Sequence, residues 1–249
     1  MEKTLIVANW KENFTVAEAE RWAERLNKEL RMSASGDSSN LKNEGDVDIV
    51  ICPSFVLIPV LYSSFSILHS SFSLGAQDVS KFEEGQYTGE VSAKMLKDFV
   101  DYVIVGHSER RKYFGETDGD VVAKSILALK HDLIPIVCVS NIEEARSWKV
   151  EARKEARGLK LERAVFVYEP VEHISTGGDF HPDDPEHANL MAKEIKAEVG
   201  RDVRVLYGGS VTSENVKSFV SQQDINGVLV GQASLDAKEF VRVINNLTI

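Results

Sequence analysis

Glu169 is the side chain best placed for acid–base chemistry. It ends the apolar run Ala164–Tyr168 within the stretch FVYEPVEHISTGGDFHPDDPEH, Phe166 to His187. A carboxylate at the end of a buried strand has an apolar wall behind it and a loop in front. That setting is expected to raise its pKa toward the range a general base needs. Pro170 fixes φ at the next position. Ser175-Thr176-Gly177-Gly178 then offers small residues whose backbone N–H groups can meet an anion. Such a loop could close over a substrate and exclude water. Taken alone, the same residues also fit a strand-ending Glu in an ordinary surface loop.

Other polar residues follow apolar runs in the same way. In chain order they are Asn9-Trp10-Lys11, Pro53-Ser54, Gln77-Asp78, His107-Ser108-Glu109, Ser140-Asn141, Glu169, Gly208-Gly209-Ser210 and Gly231-Gln232. Lys11 is either a surface lysine or a compact point charge for a substrate anion. His107 follows YVIVG and opens a helical pattern, so the helix's positive end would disfavour the imidazolium. A structural histidine is its plainer reading. The two glycine-bearing turns can be ordinary tight turns, or they can leave backbone N–H groups for a phosphate. Together the set is suited to moving a proton beside a carbonyl in a phosphorylated substrate.

For these residues to meet, the chain must bring its strand ends to one rim. Eight short β-rich runs are legible: Thr4–Ala8, Val47–Cys52, Phe72–Ala76, Tyr102–Gly106, Ile134–Val139, Ala164–Tyr168, Arg204–Tyr207 and Gly227–Val230. They are mostly continuous rather than alternating apolar, as expected for parallel strands covered on their outer face by helices. Helical spacing lies between them, at Ala19, Trp22, Ala23, Leu26 and Leu30, at Val122, Ile126 and Leu129, and at Phe240, Val243, Ile244 and Leu247. Eight alternations in 249 residues predict an α/β fold, a single-domain (β/α)8 barrel over residues 1–249 with parallel strands and outer helices. A doubly wound open sheet has the same alternation and is the alternative. Ser33–Asp46 reads as an exposed polar loop. Lys149–Glu162 reads as a solvated helix broken by Gly158.

Composition narrows the partners. A net charge of −10 disfavours nucleic acid, and it requires local positive groups wherever an anionic substrate is held. No apolar stretch of about 18 residues predicts a membrane span. The N-terminus MEKTLIVANWKEN lacks a basic leader and reads directly into a strand, which argues against a signal peptide. Cys52 and Cys138 lie in apolar runs without metal-ligand spacing, so buried free thiols in a reducing, cytoplasmic compartment are expected.

In order over nearly the whole chain, ANWKEN, GAQDVS…GQYTGEVS, VIVGHSERRKYFGET, VYEPV, VLYGGSVTSEN and GVLVGQASL resemble the triosephosphate isomerase family. The resemblance implies a TIM barrel that interconverts dihydroxyacetone phosphate and glyceraldehyde 3-phosphate, a step of glycolysis and gluconeogenesis, with no metal or organic cofactor. It implies Glu169 as the base and His107 as the electrophile at the carbonyl oxygen. This family is itself the general worked case of a Glu base, a neutral His and a closing lid. Asn9 and Lys11 match groups that stabilise developing negative charge, and Glu109 a carboxylate that positions its neighbours. Ser210 matches a phosphate contact, as do backbone groups at Ser175, Gly209, Gly231 and Gln232. Thr88, in GQYTGE, matches the tip of a loop inserted beside the partner's site, which implies a homodimer.

The chain departs from the family pattern in several places. The lid reads YEPVEHISTGG where YEPVWAIGTG is usual, with Glu172 in place of a tryptophan and Ser175 in place of a glycine. Three extra residues precede Asp184-Pro185-Glu186. Strand five ends CVSN rather than CVGE, and Gly231-Gln232 stands where Gly-Gly is usual. An altered lid leaves two alternatives open. One is an isomerase of another small phosphosugar. The other is a barrel that binds a phosphorylated metabolite or a protein with little turnover.

Overall fold

The structure, a computed structural model, describes residues 3–34, 47–68, 72–170 and 181–247. Eight parallel strands close into a barrel in sequence order. They are β1 (Thr4–Asn9), β2 (Val47–Cys52), β3 (Phe72–Ala76), β4 (Tyr102–Val105), β5 (Ile134–Val139), β6 (Val165–Tyr168), β7 (Val205–Tyr207) and β8 (Gly227–Val230). The barrel, and not the open sheet, is the fold. Its seam pairs β1 with β8, Leu5 opposite Gly227. Only glycine fits at that seam, because a Cβ on Gly227 would lie 1.9 Å from Leu5 O.

Continuous apolar runs make sense once both strand faces are traced. Leu5 and Val7 point into the barrel with Val50, Ile104, Ile136, Val165, Val167, Leu206 and Leu229. Ile6 and Ala8 point outward into a second layer beneath the helices. Both sets are buried, so no polar alternation survives.

The outer layer contains α1 (Val16–Ala34), α2 (Ile58–Leu68), α3 (Ala93–Leu96), α4 (Ser108–Phe114), α5 (Asp118–Lys130), α6 (Ile142–Glu155), α7 (Pro185–Val199), α8 (Val216–Val220) and α9 (Ala237–Asn245). Trp22 and Leu26 of α1 and Phe240 and Val243 of α9 are buried against the barrel. Side-chain caps set several starts. Thr117 and Asp120 form a reciprocal capping box on α5, and Asp184 caps α7 with Pro185 in its first turn. Among the described residues no helix is long and apolar enough to cross a membrane.

Besides one-residue differences at β1, β6 and β7, three boundaries differ from the sequence reading. Helix α1 runs through Ala34, so Ser33 is helical, and residues 35–46 lie outside the described residues. The charge-dense stretch from Lys149 belongs to a helix that begins at Ile142 and stops at Glu155. Gly158 follows it in a left-handed turn with φ 82°. That helix is not simply solvated, since Trp148 and Ala152 are buried. Finally, β4 ends one residue early, because Gly106 turns left-handed at φ 73° to deliver His107.

Candidate active site

Glu169 and His107 meet across the rim from β6 and β4. Glu169 is 2% exposed and His107 4% exposed. Glu169 Oε1 lies 2.9 Å from His107 Nε2, and Oε2 accepts the Ser108 N–H at 2.8 Å. His107 caps α4, and its Nδ1 accepts the Glu109 N–H at 3.2 Å. Because Nδ1 is an acceptor, the neutral ring carries its proton on Nε2, pointing at Glu169. The expected upward shift of Glu169 is therefore not realised in this arrangement. Burial acts to raise its pKa, but His107 and the Ser108 N–H outweigh it and hold the carboxyl below its ordinary value. The sequence placed the carboxylate correctly and could not weigh a partner 62 positions away.

Lys11 is held from three directions. Its backbone is left-handed at φ 52°, a conformation that costs an ordinary residue roughly 1–2 kcal/mol. The Asn9 Oδ1 accepts its N–H at 3.0 Å, and Gln77 Nε2 donates to its carbonyl at 2.9 Å. The same Gln77 nitrogen also donates to Cys52 O at 2.9 Å, which ties the turn to β2. Lys11 Nζ pairs with Glu109 Oε1 at 2.8 Å. Glu109 thus touches both Lys11 and His107.

On the opposite side three glycines bare the main chain. A Cβ on Gly208 would lie 2.4 Å from Val167 Cγ1, and one on Gly209 2.2 Å from the Tyr207 hydroxyl. Glycine is required at both. Asn215 Nδ2 donates to Ser210 O at 2.9 Å and steadies that turn. After β8, the Gly231 carbonyl accepts from Ser234 N–H and Oγ at 2.9 and 2.6 Å. A Cβ built on Gly231 would stand 3.7 Å from Lys11 Cε, so this turn borders the lysine.

A cavity of about 610 Å³ is lined by Asn9, Lys11, His107, Glu169, Gly209, Ser210, Gly231 and Gln232, among others. Eight residues singled out from sequence share one pocket. Glu109 is not among the lining residues and meets the pocket through Lys11. Thr88 sits apart, on an exposed loop where Phe82 and Tyr87 stack at 4.1 Å between ring centroids. Ser175 and Glu172, and with them the loop Val171–Gly178, lie outside the described residues. Cys52 and Cys138 are free and buried, as read, and burial raises both thiols. Among the described residues no group of three or more His, Cys, Asp or Glu is placed to hold a metal ion.

Sequence reading missed the supports behind the rim. Gln77 was visible at a strand end, but nothing local reveals that it reaches Lys11. Asp78, Arg110, Glu116 and Lys124 form a charge cluster with contacts of 2.6–2.9 Å, and Glu116 Oε1 accepts the Gly106 N–H at 2.9 Å. The motif VIVGHSERRKYFGET contains two members of that cluster without showing which face each other.

Comparison with known proteins agrees with this geometry. The family model described as triosephosphate isomerase matches residues 4–247. A protein of Mesomycoplasma hyorhinis named triosephosphate isomerase is 35% identical over 252 residues, covering 98% of each chain. Its namesake from Synechococcus sp. (strain JA-2-3B'a(2-13)) is 38% identical, covering 98% of this chain and 97% of its own. That from Endomicrobium trichonymphae is 39% identical over 260 residues, with 98% of both chains covered. A closed eight-strand barrel, the convergent pocket and likeness along the whole length agree: the chain belongs to the triosephosphate isomerase family.

Proposed function

We propose that this chain interconverts dihydroxyacetone phosphate and glyceraldehyde 3-phosphate, with Glu169 as the base and His107 as the electrophile. The observation that carries the reading is the 2.9 Å contact between Glu169 Oε1 and His107 Nε2 inside a pocket that also holds Lys11. Glu169 takes a proton from the carbon beside the carbonyl. The electron pair moves onto the carbonyl oxygen, which the His107 Nε2–H receives as an enediolate forms. Lys11 and Asn9 offset the growing negative charge. His107 gives its Nε2 proton to the former carbonyl oxygen and takes the hydroxyl proton from the other enediolate oxygen. Glu169 returns the carbon-bound proton to the neighbouring carbon, so that the second carbonyl forms. Turning from His107 and Ser108 to the substrate removes the two groups that lower its pKa. Burial is left as the dominant influence, which makes the carboxylate a better base.

The turns at Gly209–Ser210 and Gly231–Gln232 take the phosphate, with Ser175 as a further backbone donor. One barrel over residues 1–249 carries the whole site. The working form is a homodimer in the cytoplasm, with the Thr88 loop covered by a second copy. Tyr87, next to Thr88, is 43% exposed and stacks on Phe82, so the loop presents an aromatic face for such a cover. A coupled assay on the purified chain tests the activity: turnover of both triose phosphates is expected, and turnover of neither would refute it. Light scattering that gave an active 27.7 kDa monomer would refute the dimer.

A further inference from the structure

Gly106 is the hinge on which His107 turns out of β4, and both of its polar groups are gripped. Its N–H goes to Glu116, as described. Its carbonyl accepts from Arg111 Nε at 2.9 Å. That carbonyl belongs to the peptide carrying the His107 N–H, so its direction sets the direction in which His107 leaves the strand. The other side of Gly106 is closed, since a Cβ there would lie 3.0 Å from Val121 Cγ2 and 3.1 Å from Cys138 O. Arg111 is anchored in turn. One terminal nitrogen pairs with Asp118 Oδ1 at 2.6 Å, and the other stands 3.7 Å from Glu144 Oε2. Glu144 Oε2 also accepts the Ser140 N–H at 2.9 Å, at the end of β5. The guanidinium thus divides its work: its terminal nitrogens face the starts of α5 and α6, and Nε faces the peptide before His107.

We propose that Arg111 is a positioning residue for His107, through the Nε bond to the Gly106 carbonyl, and that its two carboxylate partners serve stability alone. The proposal rests on the role given above to His107. Arg111 does not line the pocket. Its effect on turnover must therefore pass through the aim of the imidazole, where misplacement on the ~1 Å scale can cost ~10²-fold.

Four variants separate the possibilities. Arg111→Met removes the Nε donor and the charge. Arg111→Lys keeps a cation for Asp118 but offers no donor at the Nε position, and so covers the case in which the first variant fails to fold. The double variant Asp118→Asn/Glu144→Gln weakens the anchoring and leaves the Nε bond. His107→Gln reports on the underlying reading. Steady-state kinetics, thermal unfolding and the proton resonance of the His107 Nε2–H are measured for each. Both Arg111 variants are expected to lose roughly 10- to 100-fold in kcat, with KM within about twofold and the His107 resonance displaced. The double variant should melt earlier and keep kcat within about twofold of the parent. A folded Arg111 variant with parental kcat, or a double variant that loses as much kcat, overturns the proposal. If His107→Gln keeps parental kcat, the assignment of His107 itself fails.

Discussion

On the side of the pocket fed by β1, β4 and β6, the groups presented to a substrate are side chains that hold one another. Glu169 faces His107, Lys11 faces Glu109, and Asn9 and Gln77 grip the Lys11 backbone. On the side fed by β7 and β8, glycines at 208, 209 and 231 bare the main chain beside Ser210 and Gln232. Gly208 and Gly209 sit where a single methyl would strike Val167 and Tyr207. The difference follows from what each side has to meet. Proton transfer needs a few groups with particular acidity and aim. The phosphate proposed for the other side needs several N–H donors at close range, and exposed main chain at a turn can supply them. Damage on the first side should therefore appear in kcat, and damage on the second in binding.

The largest effect should come from Glu169→Asp, which retracts the carboxylate by about one methylene. We expect kcat to fall by ~10²-fold or more while KM changes little. Near-parental turnover in this variant would mean that the base lies elsewhere.

Lys11→Met tests the boundary between the two sides, because Lys11 pairs with Glu109 and also borders the Gly231 turn. Both binding and turnover should weaken, by ~10²-fold together in kcat/KM. Unchanged inhibition by inorganic phosphate in this variant would remove Lys11 from the anion site and sharpen the division between the sides.

Gly209→Ala probes the main-chain side alone. The new methyl meets the Tyr207 hydroxyl, so the turn must shift. The inhibition constant of inorganic phosphate should rise about tenfold, with a smaller change in kcat. If kcat falls as far as affinity does, the two sides are not separable as described.

These contrasts also explain what could be read before the fold was known. Most strand positions are buried on both faces, so the strands announce themselves as largely apolar runs. The polar residue after each run is then a rim residue, which is how Asn9, Lys11, His107 and Glu169 were found. Glycines in the last two turns were read as a phosphate site for the same local reason. What depends on a distant partner stayed hidden. The lowered pKa of Glu169 needs His107, the left-handed Lys11 needs Gln77, and the Gly106 turn needs Glu116 and Arg111. Element ends were misjudged where geometry overrides apolar character, as at Gly106.

The smallest effect serves as a reference away from the pocket. Asp120 caps α5, and its carboxyl is lowered from 3.8 to about 2, chiefly by its hydrogen bond to Lys81, with the Thr117 cap adding to it. A lowered folded-state pKa gives stability that is present above the unfolded value and is lost as pH falls through the folded one. The parent should therefore melt slightly above Asp120→Asn at pH 5–7. The gap should shrink below about pH 4 and close near pH 2. Kinetic constants at neutral pH should match. A gap that grows as pH falls would contradict the Lys81 pairing, and altered kinetics would mean that the rim is coupled to this cap.

The central claim is that Glu169 moves a proton between two carbons of a triose phosphate. Proton NMR of the isomerisation run in deuterium oxide tests it most directly. The parent chain should convert dihydroxyacetone phosphate to glyceraldehyde 3-phosphate carrying deuterium at the carbon beside the carbonyl, since a carboxylate that has taken the proton can exchange it with solvent. Glu169→Gln, which keeps the side chain's size and loses the base, should neither isomerise nor exchange at a comparable rate. Exchange at the parental rate in Glu169→Gln, or isomerisation by the parent through another atom's proton with Glu169 dispensable, would contradict the account.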